Sequence, residues 1–136
     1  MIIKIDGTNF GDDVFVNKLS EIATIVDKSK GSETQSGKLR RKVTGTLFSY
    51  QIEFVKNPDK DESVWNNFFD VLTAPVDFHE IELPHNDSTI KFRGAVTELS
   101  RDADNDNGEG GVTWGDTMTV AVTPEKPQRR VTLNDI

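Results

Sequence analysis

"LFSYQIEFV", residues 47 to 55, alternates Phe48, Tyr50, Ile52 and Phe54 with Ser49, Gln51 and Glu53. A period of two marks a strand that buries one face and wets the other. Just upstream, Leu39, Val43 and Leu47 sit on the opposite parity. One flat strand cannot hide both sets, because a one-residue slip moves every side chain to the other face. Gly45 lies among them, and a bulge or kink there would reconcile the two phases.

The same change of phase recurs twice. Val76 and Phe78 precede Ile81 and Leu83, with His79 and Glu80 at the switch, and Ile90, Phe92 and Val96 precede Leu99. Three long strands that each change phase predict a strongly bent sheet, as at the corners of a barrel or an orthogonal sandwich. "TWGDTMTVAVT", residues 113 to 123, puts Trp114, Met118, Val120 and Val122 on one face of a last strand. "KLSEIATIVDK", residues 18 to 28, fits helical spacing at Leu19, Ile22, Ala23 and Val26. Its β-branched Ile22, Thr24, Ile25 and Val26 decide for a strand. "IIKI" is a further short strand before Gly7.

One segment reads as a helix, about residues 62 to 73. Trp65, Phe68, Phe69 and Leu72 fall at i, i+3, i+4 and i+7, Asp61 or Ser63 can cap the start, and Pro75 forbids continuation. So short a helix is marginal alone, so its aromatic stripe must pack on the bent sheet. Residues 28 to 38, "KSKGSETQSGK", are polar and glycine-punctuated and read as a loop or hairpin tip.

Composition removes several functions. The 136 residues suffice for one domain with a genuine core, and there is no cysteine to supply a disulfide, a thiolate nucleophile or a sulfur metal site. The start is charged by Lys4, too soon for a signal peptide, and no apolar run approaches the ~20 residues of a membrane helix. A net charge of −7 opposes general nucleic-acid binding. The cluster "KLRRK", residues 38 to 42, reads as a solvated strand end.

The acidic stretch "RDADNDNGEGG", residues 101 to 111, invites a calcium reading with Asp102, Asp104 and Asp106 as ligands. Those acids fall at positions 1, 3 and 5 of an EF-hand loop, but position 6 is Asn107 and position 12 is Thr113, which offers no bidentate carboxylate. The stretch joins two strand patterns, and its Asn-Gly and Gly-Gly pairs are hairpin-turn residues. A solvated hairpin loop is the reading taken, with calcium at those three aspartates as the alternative. His79 and His85 are six apart and share no metal-binding spacing, and the pair Glu80 and Glu82 on one strand face is expected by chance among 23 acids. No nucleophile elbow or glycine-rich phosphate loop appears, so no catalytic residue and no cofactor site is assigned.

The order "IDG", "GKLRRKVTGTLFSYQIEF", "VWNNFFDVLTAPVDFHEIELP", "FRG" and "VTWGDTMTVAVTPEKPQRR" resembles the small structural proteins of the tail modules of phages and prophages of Gram-positive bacteria. The resemblance spans roughly residues 2 to 130. It implies a mainly β (α+β) fold in which two packed, strongly bent antiparallel sheets form a sandwich or partly open barrel, with one helix against it. It implies a non-enzymatic virion component of the tail, tube or baseplate, made in the host cytoplasm. Its partners would be further copies of itself and other phage tail proteins, with no membrane and no sequence-specific nucleic acid.

Residues 1 to 123 then form the single domain, and 124 to 136 a C-terminal extension, flexible or linked to assembly. In that extension Val131 and Leu133 alternate with polar residues and could add as a strand to a neighbour's sheet edge. The competing reading is a carbohydrate-binding or calcium-dependent adhesion β-sandwich, with Trp65 or Trp114 as the sugar platform. Exposure of those two indoles separates the readings.

Overall fold

The computed structural model describes residues 3–27, 42–85, 88–105 and 110–131. The elements run β1 (Lys4–Ile5), β2 (Thr8–Asn9), β3 (Val14–Asp27), β4 (Val43–Lys56), α1 (Glu62–Leu72), β5 (His79–His85), β6 (Ser88–Asp104) and β7 (Thr113–Pro124). All strands belong to one antiparallel sheet in the order β2-β1-β5-β6-β7-β4-β3. The mainly β fold with one helix is therefore as expected, including residues 18 to 27 as strand. The two packed sheets are not found, because hydrogen bonding runs unbroken from β2 to β3 and the sheet does not close into a barrel.

One continuous sheet can nevertheless enclose a core, because chain connectivity forces it to curl. Its two edges, β2 and β3, are joined by only Phe10 to Asp13. The five residue steps from Asn9 to Val14 span at most about 18 Å. Six strand spacings of about 4.8 Å would hold the edges of a flat sheet roughly 29 Å apart. The sheet must bend, and bulges let it do so. Register shifts fall between Val16 and Lys18 on β3 and between Val96 and Glu98 on β6. An extra residue on one strand kinks it and increases its twist without cutting the ladder.

Helix α1 fills the space that the curl leaves. Asp61 caps it through a bond from the Ser63 N–H at 3.1 Å. The Ser63 hydroxyl also donates to the Asp61 carboxylate, and this holds that carboxyl below its ordinary range. At the other end the Thr73 N–H donates to the Phe69 carbonyl at 3.0 Å, and Pro75 follows two residues later. Trp65, Phe68 and Leu72 are buried, so the aromatic stripe faces inward. Phe68 stands edge-on to Phe10 and to Phe54, each 4.8 Å between centroids, and stacks beside Trp65 at 6.0 Å. Trp65 itself is wholly buried, and its indole N–H donates to the Gly115 carbonyl on β7 at 2.8 Å. On β6, Gly94 has no room for a side chain, since a Cβ there would meet Val122 Cγ1 at 2.6 Å.

Phe68 therefore joins the helix to the β2–β3 crossing and to β4, next to the sheet's far edge. Truncation of a buried phenylalanine costs about 3–5 kcal/mol. Phe68→Ala is expected to lower the unfolding free energy by that amount, read as a fall in the urea midpoint at unchanged m-value. A loss below about 1 kcal/mol would show that the helix is not what seals the sheet.

Candidate assembly surface

β4 pairs with β7 only from Tyr50 to Val55, whereas its pairing with β3 runs on to Val43. The far halves of β3 and β4 thus leave the body as a two-stranded arm, residues 20 to 27 with 43 to 49. An isolated hairpin is marginal in water, and one that is apolar on both faces is also short of the polar side it needs. This arm carries apolar side chains on both, with Ser20, Thr24 and Ser49 among them on one face and Glu21 and Thr46 on the other. Pairing carries the core-facing parity of Ile52 to Leu19, Ala23, Phe48 and Ile25, while Ile22 and Leu47 lie on the reverse face as diagonal neighbours. Leu19, Ile22, Ile25, Val43 and Leu47, with Phe15 nearer the body, are 37 to 54% exposed. Covering six such half-exposed side chains would yield on the order of 1 kcal/mol each. β3 is moreover an edge strand fourteen residues long, a template for a further strand.

This places the expected phase changes differently from a simple bend. The register irregularity in the arm does lie beside Gly45, with Gly45 opposite Val26 and Val43 opposite Asp27. Yet Val43 and Leu47 are not turned into the core by it. They remain in solvent. The switch near His79 falls before β5 begins, and Val76 is exposed. Only the switch between Val96 and Leu99 is a bulge inside the curled sheet. Leu39 lies outside the described residues.

Where the arm meets the body, three elements are tied together. After β7 the chain turns at residues 125 to 129 and lies back along β4 as a strap, with the Phe48 N–H donating to the Pro127 carbonyl at 2.7 Å. Tyr50 is buried, and its hydroxyl donates to Glu21 Oε2 at 2.8 Å and accepts from the Val131 N–H at 2.8 Å. Arg130 Nε reaches both Glu21 oxygens at 3.1 and 3.2 Å. The cleft beside them, about 200 Å³, is also lined by Leu19, His85, Ile90 and Phe92. The Tyr50 hydroxyl and then Arg130 hold the Glu21 carboxyl below its ordinary value, and burial first of all pushes the Tyr50 phenol up.

The residues singled out from sequence are scattered. Val131 packs, half-buried, against the chain's own core, and Leu133 lies outside the described residues. Asp102 and Asp104 are exposed on β6, Asp106 is outside the described residues, and no cluster of three metal-ligating side chains occurs among the described ones. Of "KLRRK" only Lys42 is described. His79 is buried and bonds Asp6 at 2.5 Å, where Asp6 adopts a left-handed φ of 53° beside Gly7. Trp114 is half-buried beneath the Arg101 guanidinium, which lies 4.0 Å from its ring and 4.2 Å from that of Phe69. The clasp of Glu21, Tyr50 and Arg130 escaped sequence reading, because 109 residues separate Glu21 from Arg130 and no motif links them.

The fold is a curled antiparallel sheet stoppered by one helix, and half of a hub adsorption-apparatus protein of a phage that infects Gram-positive bacteria has a similar fold. That protein is the SPP1 Dit (gp 19.1) protein, described as a paradigm of the hub adsorption apparatus in Gram-positive-infecting phages. It aligns with a TM-score of 0.52 at 12% identity, over 93% of this chain and 50% of its own. The present chain thus spans half the length of that protein. A chain from the virion of a native gene transfer agent particle aligns at 22% identity over 90% of this chain and 88% of its own, with a TM-score of 0.40 too loose to define a fold. No family model matches the chain, and no curated protein matches it. Among the described residues no helix is long and apolar enough to cross a membrane.

The clasp makes a prediction that the single tyrosine of the chain can report. A phenol pKa raised on folding contributes stability below the unfolded value near 10.0, lost as pH rises through the folded value. A carboxyl pKa lowered from 4.5 contributes stability above that value, lost as pH falls through the folded one. The clasp is thus complete between the acid carboxylate range and the alkaline phenol range. Ultraviolet titration of Tyr50 should show its midpoint above 10.0, and Glu21→Gln should bring it down. A midpoint at or below 10.0 in the wild type would contradict the geometry.

Proposed function

We propose that this chain is a non-enzymatic structural component of a phage or prophage tail, in the tube, terminus or baseplate region, that acts by self-assembly and by contact with other tail proteins. One observation carries this reading: an arm with exposed apolar side chains on both faces projects from a fold similar to half of a phage hub protein. A monomer gains nothing from exposing Ile22, Ile25, Val43 and Leu47 on a ribbon beyond its core, whereas a neighbouring copy can cover them and pair with the open edge of β3. In an assembly the C-terminal extension contributes too, with Val131 and Leu133 as its apolar residues. The virion tail is the location that follows.

The carbohydrate-binding alternative loses its platform, since Trp65 is buried and Trp114 lies under Arg101. No observation favours calcium-dependent adhesion at Asp102, Asp104 and Asp106.

Ile22→Asp and Leu47→Asp, made separately, should leave the melting temperature within a few degrees of wild type, because neither residue is in the core. Each should weaken self-association by about tenfold or more, since a 1.4 kcal/mol loss of interface energy is a factor of ten. Sedimentation velocity across a concentration series reads the effect. A wild type that stays monomeric throughout, or variants that assemble as well as it does, would refute the assembly role of the arm.

A further inference from the structure

The contacts at the base of the arm form a unit with a purpose of its own. Tyr50 is the last β4 residue paired with β7, so it marks the point where the arm leaves the body. Glu21 is its partner across the β3–β4 ladder. The Tyr50 hydroxyl joins Glu21 to the strap by donating to one and accepting from the other, each at 2.8 Å. Arg130 closes the triangle on the Glu21 carboxylate. One step further out, the strap accepts the Phe48 N–H through the Pro127 carbonyl. That bond occupies the side of β4 which β7 no longer covers. The strap is itself anchored to the body, where the Glu125 N–H donates to the Arg93 carbonyl at 2.8 Å and Glu125 pairs with Arg93 at 3.2 Å.

We propose that the strap and the Glu21–Tyr50–Arg130 clasp control the arm: closed, they hold it at a fixed angle for a second copy; open, they leave it a mobile hairpin that assembles poorly. The proposal rests on the assembly role of the arm. Ordering a hairpin costs conformational entropy, and a pre-ordered arm meets that cost before a partner arrives. The charged group that meets Glu21 from the strap is Arg130; Tyr50 meets it from β4, and His85 of β5 lines the same cleft. Because the pair is partly exposed, its attraction is sensitive to salt.

Hydrogen–deuterium exchange on the full chain tests this without needing assembly. Arg130→Ala should raise exchange about tenfold at residues 20 to 27 and 43 to 49, and leave residues 117 to 123 of β7 unchanged. The charge swap Glu21→Arg with Arg130→Glu should recover most of the protection that either single reversal loses. Faster exchange confined to residues 125 to 131, with the arm unaffected, would overturn the clasp. In sedimentation, Arg130→Ala should associate about tenfold more weakly than wild type and the swap should regain it. Equal association of Arg130→Ala and an assembling wild type overturns the control of assembly. A monomeric wild type defeats instead the assembly reading beneath it, and the exchange pattern still decides whether the clasp orders the arm.

Discussion

Phe68 meets Phe10, Phe54 and Trp65 in one aromatic cluster, and the rest of the molecule depends on that contact. Phe10 lies in the short crossing that ties the two sheet edges together, and Phe54 lies on β4 near the far edge. A curled sheet with its concave face open would expose Ile52, Met118, Val120 and Phe92 to water. The helix closes it. The same short crossing that forces the curl also delivers an aromatic side chain to the helix that fills it, so topology and packing agree.

Sealing the core in this way consumes only part of each long strand. The helix spans eleven residues, or about 16 Å at 1.5 Å per residue, so it can cover only a limited length of the sheet. β3 and β4 run fourteen residues each and outlast that cover. Their excess length is the arm, and its isoleucines and leucines are at odds with a free monomer. An exposed edge strand with half-exposed apolar side chains invites further chains to pair, and an assembling protein turns that liability into its interface.

Much of this was legible in the sequence, for identifiable reasons. The helix was readable because its stripe, its Asp61 cap and Pro75 are all local signals. β4 and β7 were readable because alternation at Tyr50, Ile52 and Phe54, and at Met118, Val120 and Val122, reports one-sided burial directly. The phase changes misled in part. The opposite parity of Val43 and Leu47 predicts a bend that buries both sets, whereas both residues are exposed and nothing among the described residues covers them. Hydrophobic pattern shows what seeks burial, and it does not show whether the partner is the same molecule. The single sheet was hidden for a different reason, since strand order follows from pairings as distant in sequence as Lys4 with Glu82. Of the expected site residues that are described, Val131 lies beside Tyr50 at the base of the arm, whereas Asp102 and Asp104 are on β6.

An image of the assembled particle, at a resolution that traces strands, tests the central claim most directly. The account predicts that residues 20 to 27 and 43 to 49 of each copy lie against a neighbour, with Ile22 and Leu47 covered and the β3 edge paired. Copies joined through other surfaces, with the arm standing free in solvent, would contradict it.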